Sequence, residues 1–119
     1  MSLRTFLQAK IHRATLTGTC LDYEGSISIC PELLTTSGIH PFEQVDVYNL
    51  DNGERLTTYT LSGEPGEIRL NGAAAHKGNP GQKVIIAAYC LLDEKELQEH
   101  NPVVLLVDET NRIKGRYNG

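Results

Sequence analysis

The apolar run Val84-Ile85-Ile86-Ala87-Ala88-Tyr89-Cys90-Leu91-Leu92 is the stretch that most restricts what this chain can become. At nine residues it falls well short of the roughly 20 that cross a bilayer as a helix. The turn signal Gly78-Asn79-Pro80-Gly81 before it and Asp93 after it confine it to one strand, Lys83 to Leu92. A strand with no polar alternation is one covered on both faces, so this one is predicted to be the centre of the core.

The remaining pattern supplies shorter strands around it. Thr5 to Thr17 alternates loosely, with Gly18 read as a turn; Ser26 opens a period-two strand with Ile27 and Ile29 on one face. Pro31 at the entry and Gly38 at the exit bracket a short helix. Val45 to Leu50 and Arg55 to Leu61 flank Asp51-Asn52-Gly53, a hairpin turn whose residues tolerate positive φ. After the break at Gly63-Glu64-Pro65-Gly66, Glu67 to Leu70 alternates, and Asn71-Gly72 leads into three alanines that suit one helical turn. A capped helix from Asp93 to about His100 is stopped at Asn101-Pro102, and Val103 to Val107 is the last strand. The polar tail from Asp108 reads as a frayed end. With 119 residues this is one domain. The predicted class is mainly β: a small closed barrel of six or seven strands with two or three short helices.

Charge and composition exclude several functions. A formal net charge of -4 without clustered Lys or Arg argues against nucleic acid. Met1 to Lys10 lacks the pattern of a secretory peptide, so a soluble, cytoplasmic protein away from membranes is expected. Three widely spaced cysteines, Cys20, Cys30 and Cys90, suit a reducing compartment, and the four histidines lack zinc-ligand spacing, so no metal is expected.

Tyr23-Glu24-Gly25-Ser26 is the candidate for chemistry. A serine hydroxyl beside a flexible glycyl carbonyl can attack it, converting the peptide to an ester. Elimination then leaves dehydroalanine, which hydrolyses to a ketone. The same letters also describe an ordinary surface turn.

Four blocks decide between these readings. They are Arg4-Thr5 through Lys10-Ile11-His12-Arg13-Ala14, then Tyr23-Glu24-Gly25-Ser26, then Asn52-Gly53-Glu54-Arg55-Leu56-Thr57-Thr58-Tyr59, and finally Asn71-Gly72-Ala73-Ala74-Ala75-His76. In order and spacing the chain resembles the bacterial pyruvoyl-dependent aspartate decarboxylases. Outside the blocks lie Cys20, Cys30 and Lys77, and the segment between Leu61 and Glu67 is trimmed.

The resemblance implies a double-psi barrel made as a proenzyme that cleaves itself between Gly25 and Ser26. Residues 1–25 and 26–119 would stay associated, and Ser26 would become a covalent pyruvoyl cofactor. It implies decarboxylation of L-aspartate to β-alanine through a Schiff base, supplying pantothenate and coenzyme A synthesis. A homotetramer with pockets between subunits and a possible maturation factor are implied with it. Arg55 and Lys10 become the cations for the two substrate carboxylates, chemically apt because guanidinium grips a carboxylate through two parallel bonds. Tyr59 becomes the proton donor to Cα, and Thr58 a contact for the Gly25 carbonyl and a wall of the substrate site. Asn71, Gly72, Ala73 and Ala74 become a pocket-lining loop, and Tyr23 a neighbour of the cofactor. Composition alone reads Arg55 and Lys10 as solvated cations and Tyr59 as a barrel-rim tyrosine. His12, Arg13 and His76 match but receive no chemistry.

Two other classes compete. One is a non-catalytic barrel that binds a ligand or partner, with Gly25-Ser26 uncut. The other is a hydrolase using Ser26 with His12 or His76 as base, which lacks a nucleophile-elbow motif.

Overall fold

The computed structural model describes residues 2–118 of the chain. Its described strands are β1 (Arg4–Thr15), β2 (Gly18–Cys20), β3 (Ser26–Ile29), β4 (Gln44–Asn49), β5 (Arg55–Ser62), β6 (Ile68–Asn71), β7 (Lys83–Leu92), β8 (Val103–Val107) and β9 (Ile113–Asn118). Helix α1 (Pro31–Ser37) follows β3, a 3-10 helix (Gly72–Lys77) follows β6, and α2 (Glu94–Leu97) follows β7. The mainly β expectation holds, with nine described strands where six or seven were predicted.

Hydrogen bonding orders the strands β2-β6-β3-β5-β4-β7-β1-β8-β9. No described ladder joins β2 to β9, so the series is open at both ends. Three pairings are parallel, β1 with β8, β2 with β6 and β3 with β5, and the others are antiparallel.

Strand β7 lies between β4 and β1, as its apolar character requires. Both faces are covered only as far as Ala88; beyond it Tyr89 and Leu91 are 41% and 60% exposed, so two-sided burial fails at that end. The core comprises Ile11, Leu16, Ile27, Ile29, Leu33, Val45, Val47, Ile68, Leu70, Val84, Ile86 and Leu105, all at or below 1% exposure. Each such side chain contributes about 1.5–3 kcal/mol relative to leaving it in water.

Local signals set several element ends. Pro31 opens α1, and Gly38 closes it in the left-handed conformation at φ 79°, its amide bonded to the Leu34 carbonyl. Gly53, at φ 75°, turns the β4–β5 hairpin. Asp93 and Glu96 form a reciprocal capping box on α2, which ends at Leu97 instead of reaching His100.

Two expectations are corrected by long-range pairing. Gly18 does not end in a turn but starts β2, which pairs with β6. The polar tail is not frayed over 113–118: these residues form β9 along β8. Asn111 makes that return possible. It is 3% exposed, adopts φ 64°, and its amide bonds the Thr15 N–H and carbonyl and the Gly66 carbonyl.

Candidate active site

Ser26 is the first residue of β3 and is fully buried, directly opposite Asn71 of β6. Its Oγ donates to the Glu24 carbonyl at 2.7 Å. Asn71 Nδ2 donates to Ser26 Oγ at 3.1 Å and to Ser28 Oγ at 3.0 Å. Asn71 Oδ1 accepts from Arg69 Nε at 2.8 Å. Because a guanidinium only donates, Arg69 fixes which end of the amide faces the serines. The hydroxyl at position 26 is therefore oriented at both its proton and its lone pair.

Asn71-Gly72 brings the backbone of β6 against the chain just before Ser26. Gly72 has φ +61°, and a Cβ there would lie 2.6 Å from the Gly25 nitrogen and 2.7 Å from the Tyr23 carbonyl oxygen. Only glycine permits both the backbone angle and the approach.

Tyr59 reaches the same loop from β5. Its hydroxyl donates to Glu24 Oε2 at 3.3 Å. Partial burial, then the Glu24 charge and hydrogen bond, raise its pKa above the ordinary phenol value, so it holds its proton at neutral pH. An open cleft of about 540 Å³ adjoins it, lined by Phe42, Gln44, Thr57, Thr58 and Tyr59.

Register shows how the other candidates are disposed. Directly paired residues share a face of the sheet, and alternate residues along a strand return to it. Ile27 pairs with Thr60, Leu70 with Ile27, and Val45 with Thr58, which defines the core-facing set. Ser26, Asn71 and Tyr59 consequently share the other face. On that face Arg55 pairs with Tyr48, while Lys10, Ala87, Asp46 and Thr57 form one row across four strands.

Lys10 and Arg55 thus face the same way as Ser26 but do not touch it. Arg55 starts β5 four residues before Tyr59, roughly 13 Å along the strand. Lys10 lies on β1, with β7, β4 and β5 between it and β3 in the sheet order. Thr58 alternates with Tyr59 and pairs with the core residue Val45, yet it is only half-buried and lines the same open cleft; no hydrogen bond joins it to Gly25 among the described residues. Tyr23 is 50% exposed, with the Arg69 guanidinium 5.6 Å from its ring centroid. In the 3-10 helix Ala73 is exposed and Ala74 buried.

Sequence reasoning missed two contributors. Glu24 supplies its carbonyl to Ser26 and its carboxylate to Tyr59, and Arg69 orients Asn71. Neither a backbone acceptor nor a second-strand partner has a local sequence signal, although Glu24 stands in the Tyr23-Glu24-Gly25-Ser26 stretch itself. The hydrolase alternative is not supported: both hydrogen bonds of Ser26 Oγ go to Glu24 and Asn71, and neither to His12 or His76. His12 instead has Nδ1 buried without a partner and a pKa lowered first by burial, then by Lys10, Arg13 and Lys114. Among the described residues no group of His, Cys, Asp and Glu could hold a metal, and no helix is long and apolar enough to cross a membrane.

Comparison with known proteins gives a consistent result. A family model described as aspartate decarboxylase matches residues 1–114. An aspartate 1-decarboxylase of Bdellovibrio bacteriovorus is 50% identical over 92% of this chain and 88% of its own length. That of a Hydrogenobaculum species is 52% identical over 92% and 88%. That of Desulfotalea psychrophila is 48% identical over 94% and 96%.

Proposed function

The chain belongs to the aspartate decarboxylase family, and we propose that it converts L-aspartate to β-alanine and CO2 with a pyruvoyl group made from its own Ser26. It is a carboxy-lyase of that family. The observation that carries the pyruvoyl reading is the double restraint on Ser26 Oγ, which bonds the Glu24 carbonyl and the Asn71 amide inside a fully buried site.

That arrangement suits cleavage before Ser26. The hydroxyl belongs to the residue directly after the Gly25 carbonyl, and its proton already has an acceptor in the Glu24 oxygen. Gly25 lets the attacked peptide bend, and nothing lies within 4 Å of the position a Cβ would take there. Attack of Oγ on the Gly25 carbonyl carbon breaks the C–N bond and leaves an ester, with the amine of residue 26 as leaving group. Elimination across Cα and Cβ of residue 26 breaks the ester, releasing residues 1–25 with a terminal carboxylate. Water then replaces the enamine nitrogen as ammonia and leaves a ketone on residues 26–119. The Gly72 cradle and the Asn71 donor fit a small carbonyl group there.

A pyruvoyl ketone supplies the electron sink that loss of CO2 from an amino acid requires. Around it, Arg55 and Lys10 bind the substrate carboxylates, Tyr59 holds the proton delivered to Cα, and Thr58, Gly72, Ala73 and Ala74 bound the pocket, with Tyr23 beside it. Since Lys10 and Arg55 stand away from Ser26 of their own chain, the site is completed by another copy, in a tetramer. Exposed Leu21, Tyr23 and Phe42, at 60%, 50% and 74%, supply apolar surface for such contact. Double-psi connectivity belongs to the same reading and is supported by the three parallel pairings, each of which needs a crossover. A cytoplasmic role supplying pantothenate synthesis, and any maturation factor, follow from the family.

Intact mass of the purified, denatured protein tests the central step. Fragments 1–25 and 26–119, the larger lacking a free amino terminus, with β-alanine formed from aspartate, are the expected result. A chain that remains whole after prolonged warm incubation, and makes no β-alanine, would favour a binding barrel instead.

A further inference from the structure

The guanidinium of Arg55 lies 4.4 Å from the centroid of the Tyr48 ring. No acidic side chain of this chain pairs with it: the ion pairs among the described residues are Arg69 with Glu67 and Lys77 with Glu54. Asp46, two residues along the same face, is committed elsewhere. Its Oδ1 accepts from Thr57 Oγ1 at 2.6 Å and its Oδ2 from the Tyr48 hydroxyl at 3.3 Å. The Tyr89 hydroxyl stands 2.9 Å from that of Tyr48. Since Tyr48 gives its proton to Asp46, Tyr89 is the donor in that second contact. The hydroxyl of the ring beneath Arg55 is thereby anchored by Asp46 of its own strand, β4, and by Tyr89 of the neighbouring strand β7.

A guanidinium placed over a ring is held on that side by the attraction of its charge to the ring face, while N–H groups not turned to the ring stay available to a ligand. Beside the guanidinium is an open cavity of about 270 Å³ lined by Asp46, Tyr48, Arg55, Leu56 and Thr57. An unanchored arginine at a strand end would sample many rotamers, and a ligand would have to select one of them. Stacking removes much of that freedom before binding, which is the energetic advantage of preorganisation.

We propose that Tyr48, braced by Asp46 and Tyr89, is a positioning residue that holds the Arg55 guanidinium over its ring, ready to receive one carboxylate of a dicarboxylate substrate. The inference rests on the reading of Arg55 as a substrate ligand. Tyr48 itself touches the arginine and acts through it. Its effect is therefore on substrate binding, leaving cleavage at Gly25-Ser26 and the bond-breaking step alone.

Calorimetric titration with succinate, a dicarboxylate without an amine, tests this on the full-length protein. Arg55→Ala is expected to abolish binding. Tyr48→Leu is expected to weaken it roughly three- to tenfold, and Tyr48→Phe to keep it within about twofold, because the ring is the platform. With aspartate, Tyr48→Leu raises KM by the same factor with kcat little changed, and intact mass shows unaltered cleavage. Wild-type succinate affinity in Tyr48→Leu, with binding lost in Arg55→Ala, would overturn the role of Tyr48. Wild-type affinity in Arg55→Ala would instead overturn the reading of Arg55. Should Tyr48→Leu not fold, 4-cyanophenylalanine at position 48 keeps the shape and withdraws charge from the ring. Weaker succinate binding than in Tyr48→Phe supports the proposal, and equal binding overturns it.

Discussion

Gly72 packs directly on Gly25: a Cβ at position 72 would fall 2.6 Å from the Gly25 nitrogen and 2.8 Å from its Cα. These are backbone atoms of the segment proposed to be cleaved, which cannot move aside as a flexible side chain would. Gly72→Ala is therefore predicted to displace residues 23–25 and slow cleavage by at least tenfold. The left-handed backbone alone costs an alanine roughly 1–2 kcal/mol, so the melting temperature falls too. A time course of intact mass beside a thermal melt checks both, and cleavage at the wild-type rate would remove Gly72 from the proposed machinery.

Asn71 holds Ser26 and Ser28 through one NH2 group, with its carbonyl tied to Arg69. Asn71→Asp keeps the shape but replaces donors with a carboxylate facing two hydroxyl groups. The variant is predicted to retain most of its fold while cleaving at least tenfold more slowly, in line with about 1–3 kcal/mol for a buried polar group that loses its partner. Comparing Asn71→Asp with Ser28→Ala separates orientation of Ser26 from general support of β3, since only the former should stop cleavage.

The Tyr59 phenol has a raised pKa, first from burial and then from Glu24. The proton donor proposed here must be protonated, so activity is predicted to be retained through neutral pH, with an alkaline limb above the ordinary tyrosine range near 10. Glu24→Gln removes the charge and is predicted to move that limb to lower pH. Rate profiles for processed wild-type and Glu24→Gln protein measure this directly. Tyr59→Phe should lose turnover and keep its fold.

Tyr89 has its pKa pushed up to about 12, first by the hydrogen bond with Tyr48 and next by burial. A raised folded value means that the native state keeps a proton which the unfolded chain loses near pH 10. The contribution is complete below about pH 10 and disappears as pH rises toward 12. Denaturant midpoints at pH 9 and pH 11.5 should fall less in Tyr89→Phe than in wild type. Tyrosinate absorbance should show Tyr89 titrating closer to 10 in Tyr48→Phe.

Asn111 supplies a stability test remote from the site. Alanine there loses three hydrogen bonds to Thr15 and Gly66 and is strained at φ 64°. A loss of roughly 2–4 kcal/mol is expected from the unpaired backbone groups and the left-handed conformation together. Chemical denaturation measures it, and cleavage should continue in the folded fraction.

Much of the architecture was legible because its causes are local. Val84 to Leu92 had to be a central strand, Pro31 and Gly38 bracket α1, and Gly53 turns the hairpin, each through the conformational limits of residues close in sequence. The alternation after Ser26 placed that residue at a strand start, where it is found. Among the site residues, Ser26 and Asn71 meet through a hydrogen bond, and Gly72 lies against the backbone just before Ser26.

Elsewhere the causes are distant in sequence and leave no local trace. Residues 114–118 are mostly polar, yet with Ile113 they form β9 because β8 offers a free row of backbone donors and acceptors and Asn111 turns the chain toward it. Gly18 enters a strand because β6 lies alongside. Glu24 and Arg69 gain their roles only when β3, β5 and β6 are neighbours, and Tyr48 meets Arg55 only through the register of β4 on β5. The sequence by itself determined the central strand, the bracketed helix α1 and the hairpin turn at Gly53, since periodicity and allowed dihedrals act over a few residues, while the choice of Ser26 rested on the family resemblance of the blocks around it. Only the tertiary structure decided which strands pair and which side chains share a face, because those depend on hydrogen bonds and packing between residues far apart in the chain.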